Sequence, residues 1–272
     1  MKQYLIADSG GTRTDWCFVD TNGERQHFST ESYHPVNWDN AFIQRITEYW
    51  KSHSEMLNAE LHFFGSGCFK ASKADEMSAL LKRVGFQKVV VKSDLHGAAL
   101  ACLGNSHGWV AILGTGSVLF EWNGQDVTKI IGGKGHVLGD EGSGFYFGKL
   151  VYEAWCNQTL SEEQTKYISE KVDFRILEEK CSTGDEKFAL ATLSEVLGSN
   201  EITAGFHREN IRVFCVSHFK QEVPEKLHFV GSYAHHNRSH LQQILGDYKV
   251  QIGSIIAKPI EQIVERTAVH ID

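Results

Sequence analysis

The chain has no long apolar run. No stretch approaches the roughly 20 residues that cross a membrane. Its opening, Met1-Lys2-Gln3-Tyr4-Leu5-Ile6-Ala7-Asp8, meets an acid too soon to serve as a secretory signal. A soluble, cytoplasmic protein with no membrane partner is therefore expected. Paired cysteines are also missing. Cys17, Cys68, Cys102, Cys156, Cys181 and Cys215 form no C-x-x-C, and most stand in apolar runs such as Trp16-Cys17-Phe18. That pattern predicts reduced, buried thiols rather than a disulfide framework. Nor is there an excess of positive charge. A formal net charge of -7 repels a phosphate backbone, so nucleic acid is not expected as the main partner. A small anion can still bind locally through backbone N–H groups and a metal ion. H-E-x-x-H spacing is absent, and no G-x-G-x-x-G follows a strand. Gly148-Lys149 imitates a Walker A motif, but Ser143 and Leu150 stand where its first glycine and its hydroxyl belong. His235-His236 reads as exposed polar loop.

What is present is an ordinary globular composition, 42% hydrophobic and 22% charged over 272 residues, enough for two modest domains or one large one. Tyr4 to Ala7 reads as a buried strand, Asp8-Ser9-Gly10-Gly11-Thr12 as a tight turn relaxed by its glycines, and Trp16 to Val19 as the returning strand. Asn22-Gly23 signals a second hairpin turn. Helices are predicted around 39–52, around Met77 to Val84 with Gly85 as the stop, and from Ser93-Asp94 through Cys102. Strands are predicted at Leu61 to Phe64 and Val89 to Val91. After the boundary Gly104-Asn105-Ser106-His107-Gly108 the plan returns: strand Trp109 to Leu113, glycine turn Gly114 to Ser117, strand Val118 to Trp122, then Asn123-Gly124. Residues 160–220 read as helical and polar, with little legible chemistry. Leu227 to Val230 is a strand leading into Gly231-Ser232, and Ile255 to Arg266 a closing helix. Alternating strands and helices predict an α/β fold with mixed sheets.

Five constellations can carry chemistry. In Asp8 to Asp15, glycines and hydroxyls after a strand suit a phosphate cradle, and Asp8 would face Mg²⁺ through waters; a plain hairpin turn is the alternative. Gly114-Thr115-Gly116-Ser117 offers the same choice. Asp94, between a strand and a helix, is either a base that accepts a hydroxyl proton or a helix cap worth ~1 kcal/mol. The glycine-dense run Gly132 to Gly144 opens a helix; it suits a polyhydroxyl ligand or a metal, unless Asp140 and Glu141 are merely helix N-terminal charges. Gly231-Ser232 covers a nucleotide base or is a loop.

Taken together, Asp8 to Trp16, Ser93 to Ala101, Leu113 to Ser117, Gly132 to Gly144 and Val230-Gly231-Ser232 resemble the motifs of N-acetylglucosamine kinases. They are similar, too, to the ATPases that activate benzoyl-CoA reductases and 2-hydroxyacyl-CoA dehydratases, in the same actin and hexokinase superfamily. The resemblance implies two actin-like (ribonuclease H-like) domains, 1–107 and 108–272, with five-stranded mixed sheets and a nucleotide cleft between them. Whether the last helix returns to the first domain is left open. ATP and Mg²⁺ are the implied cofactors, a small sugar the partner, and a homodimer the assembly common in the superfamily. By the same resemblance Gly10, Gly11 and Thr12 form the first phosphate loop, and Thr115 and Gly116 belong to the second, near phosphate and sugar. Asp94 is the catalytic base and also touches the sugar. Asn37, Gly67 and Asp140 contact the sugar, and Gly231 with Ser232 lies in the adenosine motif. Lys134 departs from the family, which usually has an aromatic there; a lysine cannot stack on a sugar, but it can attract an acidic substituent such as the lactyl carboxylate of N-acetylmuramic acid. The implied reaction is phosphorylation of the 6-hydroxyl of an amino sugar, N-acetylglucosamine first. N-acetylmuramic acid or glucosamine, a non-catalytic sensor, and an iron–sulfur activator ATPase are the alternatives.

Overall fold

The computed structural model describes residues 2–220 and 222–271, the side chains at 36 and 268–271 excepted. The chain forms two compact units, Met1–Asn105 with Pro259–Asp272, and Ser106–Lys258.

The first unit starts with β1 (Tyr4–Ser9), β2 (Arg13–Val19) and β3 (Arg25–Glu31), an antiparallel meander. The Asp20 side chain accepts the N–H of Asn22 at 2.8 Å and that of Glu24 at 2.9 Å, which fixes the second turn. Then follow α1 (Asn40–Ser52), β4 (Glu60–Gly65), α2 (Ala71–Val84), β5 (Lys88–Ser93) and α3 (Asp94–Leu103). Asp39 caps α1 by accepting the Phe42 N–H at 2.6 Å. The sheet order is β3-β2-β1-β4-β5, with β1, β4 and β5 parallel. Its core is aromatic: Trp16, Trp50, Phe42 and Phe63 are buried, and the Trp50 indole donates to the Tyr33 hydroxyl at 2.7 Å.

The second unit repeats this plan. β6 (Gly108–Leu113), β7 (Ser117–Trp122) and β8 (Val127–Gly132) form the meander. A helical layer follows: α4 (Gly144–Cys156), α5 (Glu162–Ser169), α6 (Phe174–Lys180), α7 (Glu186–Leu197) and α8 (Ala204–His218). Next come β9 (Lys226–Val230), α9 (Ser232–His236), α10 (Arg238–Asp247) and β10 (Gln251–Ile256). The order β10-β9-β6-β7-β8, read from its other edge, is the order of the first sheet. The expected α/β architecture of two mixed five-stranded sheets is thus formed.

The last helix, α11 (Ile260–Ile271), packs on α3, β1 and β2 of the first unit. Gly97 makes this possible, since a Cβ there would lie 3.1 Å from both Ile263 and Phe64. Ile255 to Arg266 is therefore not one helix: Ile255 and Ile256 end β10, and Pro259 separates them from α11. Proline cannot donate to a sheet ladder but fits a helix start, and its carbonyl accepts the Ile263 N–H at 2.9 Å. The thiols are also less uniform than expected. Cys17, Cys68 and Cys215 are buried, Cys102 and Cys181 are half-buried, and Cys156 is exposed. His235 and His236 are exposed as expected, but they sit on the short helix α9 rather than in a loop.

Residues 160–220, read as polar, supply much of the second core: Leu190, Leu193, Ile211 and Phe214 are all buried. At the α4–α7 contact a Cβ on Gly148 would overlap the Leu190 carbonyl, with its carbon at 2.6 Å. Backbone cannot swing aside as a side chain can. Gly148→Ala is expected to cost about 2 kcal/mol or more, whereas Gly246→Ala on α10, with nothing within 4 Å, should be neutral or mildly stabilising. Urea unfolding of both variants checks the contrast.

Candidate active site

In the first unit three parallel strands end level with one another. Ser9 pairs with Gly65, and Gly65 with Ser93, so the residues after each strand share one sheet end. Ligands of open α/β sheets bind at this carboxyl end. The glycine turn follows β1 and is closed by the Gly10 N–H on the Arg13 carbonyl at 3.0 Å. Neither Gly10 nor Gly11 has a positive φ, so backbone strain does not require them. Gly10 is exposed, and a Cβ there would meet only the Arg13 carbonyl, at 3.8 Å. What the glycines provide is a bare backbone edge that a ligand can approach. The Ser9 and Thr14 hydroxyls bond at 2.8 Å beneath the turn, and the Tyr33 N–H reaches both.

Two polar chains join this turn to the other expected residues. The Ser66 N–H donates to the Ser9 carbonyl at 2.8 Å, and the Ser66 hydroxyl reaches Asp94. On the other side the Ser32 hydroxyl donates to the Gly10 carbonyl at 2.6 Å, and the Asn37 amide donates to the Ser32 carbonyl at 3.2 Å. Gly67 has φ of 80° and lies against the same segment: a Cβ there would stand 3.0 Å from Pro35 and 3.1 Å from His34. Asp8, Gly10, Asn37, Gly67 and Asp94 are therefore gathered at one end of one sheet.

Asp94 opens α3, and its own carboxylate accepts the Leu95 N–H at 3.0 Å. The cap position is held by Ser93, whose side chain makes no cap bond and instead lies 3.0 Å from His96 Nδ1. Burial pushes the Asp94 carboxyl up to about 6, against the Leu95 N–H and Ser66 bonds that favour the anion. Such a group is ionised at neutral pH yet basic enough to take a proton from a hydroxyl. Burial, reinforced by the Asp94 and Asp15 carboxylates and opposed by Arg13, pushes Asp8 up to about 7. A buried acid with two other acids near it suits a cation close by. Among the described residues no group of three or more His, Cys, Asp or Glu converges to hold a metal directly. Buried Asp8 would hold Mg²⁺ through the metal's waters, which Mg²⁺ sheds reluctantly.

In the second unit the turn after β6 is closed by the Gly114 N–H on the Gly116 carbonyl at 3.0 Å. The start of α4 docks on it, the Gly144 N–H donating to the Gly114 carbonyl at 2.8 Å and the Phe145 N–H to that of Thr115 at 3.3 Å. Gly231, at φ 119°, closes the other side: a Cβ there would overlap the Leu113 carbonyl and stand 3.1 Å from the Gly114 nitrogen. Gly231 and Ser232 thus sit beside the second glycine turn. Thr115, Gly116 and Asp140 are gathered here as well. Lys134 is exposed on the loop after β8, as are Val137 and Leu138.

Asp140 has a partner that its own motif does not contain. It is only 3% exposed, and its φ of 65° is unusual for a residue with a side chain. Its Oδ1 accepts the Ser117 N–H at 3.0 Å, while Oδ2 lies 3.0 Å from the Lys187 ammonium. It does not cap α4, because Ser143 does so by accepting the Tyr146 N–H at 3.1 Å. Lys187 escaped the sequence reading, a lone lysine on α7 without a motif around it. Asn210 on α8 escaped it too. Fully buried, Asn210 accepts the Gly142 N–H at 2.7 Å and donates at 2.8 Å both to the Ser143 carbonyl and to the Tyr233 hydroxyl. It thereby ties the segment after Asp140 to the helix that begins at Ser232.

No family model matches the chain. Over 167 residues it is 31% identical to the N-acetyl-D-glucosamine kinase of Dictyostelium discoideum, covering 53% of this chain and 51% of that protein. Over 129 residues it is 28% identical to the N-acetylmuramic acid/N-acetylglucosamine kinase of Clostridium acetobutylicum, covering 44% and 42%. The chain thus spans about half the length of the curated relatives it matches. A solved Porphyromonas gingivalis structure, provisionally named N-acetylglucosamine kinase, superposes with a TM-score of 0.85 at 25% identity, over 99% of this chain and all of that one. ADP-bound MreB5 of Spiroplasma citri superposes with a TM-score of 0.54 at 11% identity, over 99% and 96%. The fold is that of the actin-like ATPases and sugar kinases.

Proposed function

We propose that the protein is an ATP-dependent kinase that phosphorylates the 6-hydroxyl of an amino sugar, N-acetylglucosamine first. The observation that carries this reading is Asp94: a carboxyl at the end of a parallel strand, bonded to Ser66 and tied through it to the first glycine turn. Phosphoryl transfer asks little of a protein beyond one positioned base, donors for the phosphates and neutralised charge. Asp94 receives the hydroxyl proton. The turns at Gly10 to Thr12 and at Thr115 to Gly116 take phosphate oxygens, and Gly231 with Ser232 takes the adenosine end. Asn37, Gly67 and Asp140 receive the sugar. ATP·Mg²⁺, when bound, supplies the phosphoryl group and the divalent charge, with Asp8 behind the metal's waters. No described helix is long and apolar enough to cross a membrane. A homodimer remains the assembly proposed from the resemblance.

N-acetylmuramic acid is the second acceptor. Lys134 stands exposed on the loop before Asp140, and the Clostridium relative is named for both sugars. An iron–sulfur activator role finds less support, since the six cysteines show no paired spacing of the C-x-x-C kind.

An ADP-release assay over N-acetylglucosamine, N-acetylmuramic acid and glucosamine, with a no-sugar control, tests the reading. Release should depend on sugar, and 6-deoxy-N-acetylglucosamine should bind without being turned over. Asp94→Asn should lower kcat by about 10²–10⁴-fold with sugar KM changed only a few-fold. Sugar-independent release, or near-normal turnover in the variant, would remove Asp94 from its role.

The raised Asp94 value has a second consequence. A carboxyl at about 6 in the folded chain against 3.8 ordinarily binds its proton more tightly when folded. The folded state therefore loses stability as pH rises from about 4 through 6. Asn cannot ionise, so ligand-free Asp94→Asn should be more stable than wild type at pH 8, by on the order of 2 kcal/mol, and gain nothing at pH 4. Thermal melts at both pH values check this; a variant less stable at pH 8 contradicts it.

A further inference from the structure

We propose that Lys187 determines acceptor specificity: with Asp140 it forms a charge-compensated pair at the second glycine turn that admits a neutral N-acylated amino sugar and turns away one bearing a free ammonium. The inference rests on the sugar-kinase reading above and narrows its substrate class.

Asp140 alone would be a buried carboxylate, which draws cations. Lys187 changes that. Its Nζ lies 3.0 Å from Asp140 Oδ2, and the two side chains are unequally covered, 29% exposed for the lysine and 4% for the aspartate. A ligand arriving at this turn meets the ammonium before the carboxylate. Gly116 leaves the room for this: a Cβ there would stand 2.9 Å from Asp140 Oδ1 and 3.1 Å from Lys187 Nζ. Asp140 Oδ2 is buried and has no aligned hydrogen bond despite the short ion pair. Its charge is met by the Lys187 ammonium, so an arriving sugar meets the ammonium and not this oxygen. The ammonium carries three N–H donors for the oxygens of the same sugar.

Lys187 also stands in the first turn of α7, where the helix's own positive end opposes a cation. Its place is explained by Asp140 and not by α7. The pair is neutral as a whole, with its cation outermost. Hydroxyls and an acetamide suit it, whereas the ammonium of glucosamine would face Lys187 at short range as a like charge.

The test is the ratio of kcat/KM for N-acetylglucosamine to that for glucosamine, at a pH where the glucosamine amine is protonated. A ratio cancels losses common to both sugars. Wild type should prefer the acetylated sugar. Lys187→Met should lower the ratio by about tenfold or more, and Lys187→Arg should keep it. Asp140→Asn, which leaves the lysine uncompensated, should raise it and should favour N-acetylmuramic acid relative to N-acetylglucosamine. Circular dichroism verifies that each variant is folded; if Lys187→Met is not, the Asp140→Asn shift decides. Wild type active with unmoved ratios in these variants overturns the pair's role and leaves the kinase reading standing. Wild type inactive on every sugar overturns the kinase reading and this inference together.

Discussion

Strands that end level with one another place everything else. In the first sheet the pairing of Ser9 with Gly65 and of Gly65 with Ser93 makes three chain reversals start at one height. Ser66 can then donate to Ser9, and Asp94 can take the Ser66 hydroxyl. In the second sheet Val230 pairs with Ile112 on one side and Ile256 on the other, so Gly231 begins where the second glycine turn begins. A slip of one residue would turn every side chain to the opposite face and scatter these contacts. The register is held by apolar burial: Leu5, Ala7, Leu61, Val110 and Phe229 have no exposure.

On that frame the chain holds carboxylates where water is scarce, and each is handled differently. Asp94 keeps its charge weakly, propped by a backbone N–H and a serine hydroxyl. Asp8 is crowded by Asp15 and Asp94 and has only Arg13 in opposition. Asp140 is paired with a lysine. Burying such groups lowers the stability of the ligand-free chain, a common compromise at functional sites.

Much of this was legible in the letters because it is local. Asn22-Gly23 and Asn123-Gly124 specify hairpin turns by themselves, and the repeated strand, glycine turn, strand pattern exposed the duplicated plan. Gly85 and Ser93-Asp94 marked helix ends that the structure keeps. The failures share a cause, which is dependence on distant partners. Ile255 and Ile256 joined Ile260, Ile263 and Val264 in one apolar spacing, and only pairing with β9 shows them to be a strand. Lys187 and Asn210 are single polar residues in helices; their meaning lies in Asp140, Gly142 and Tyr233, 47, 68 and 23 positions away respectively. The first turn falls where its glycines predict it, but no positive φ demands them.

The central claim is transfer of phosphate from ATP to a primary hydroxyl. Phosphorus NMR of a reaction containing the protein, ATP, Mg²⁺ and N-acetylglucosamine tests it most directly, because a phosphate on the 6-position couples to the two protons of one CH₂ group. The account predicts a phosphomonoester triplet growing in step with ADP. Inorganic phosphate as the sole new signal, or no consumption of ATP at all, would contradict it.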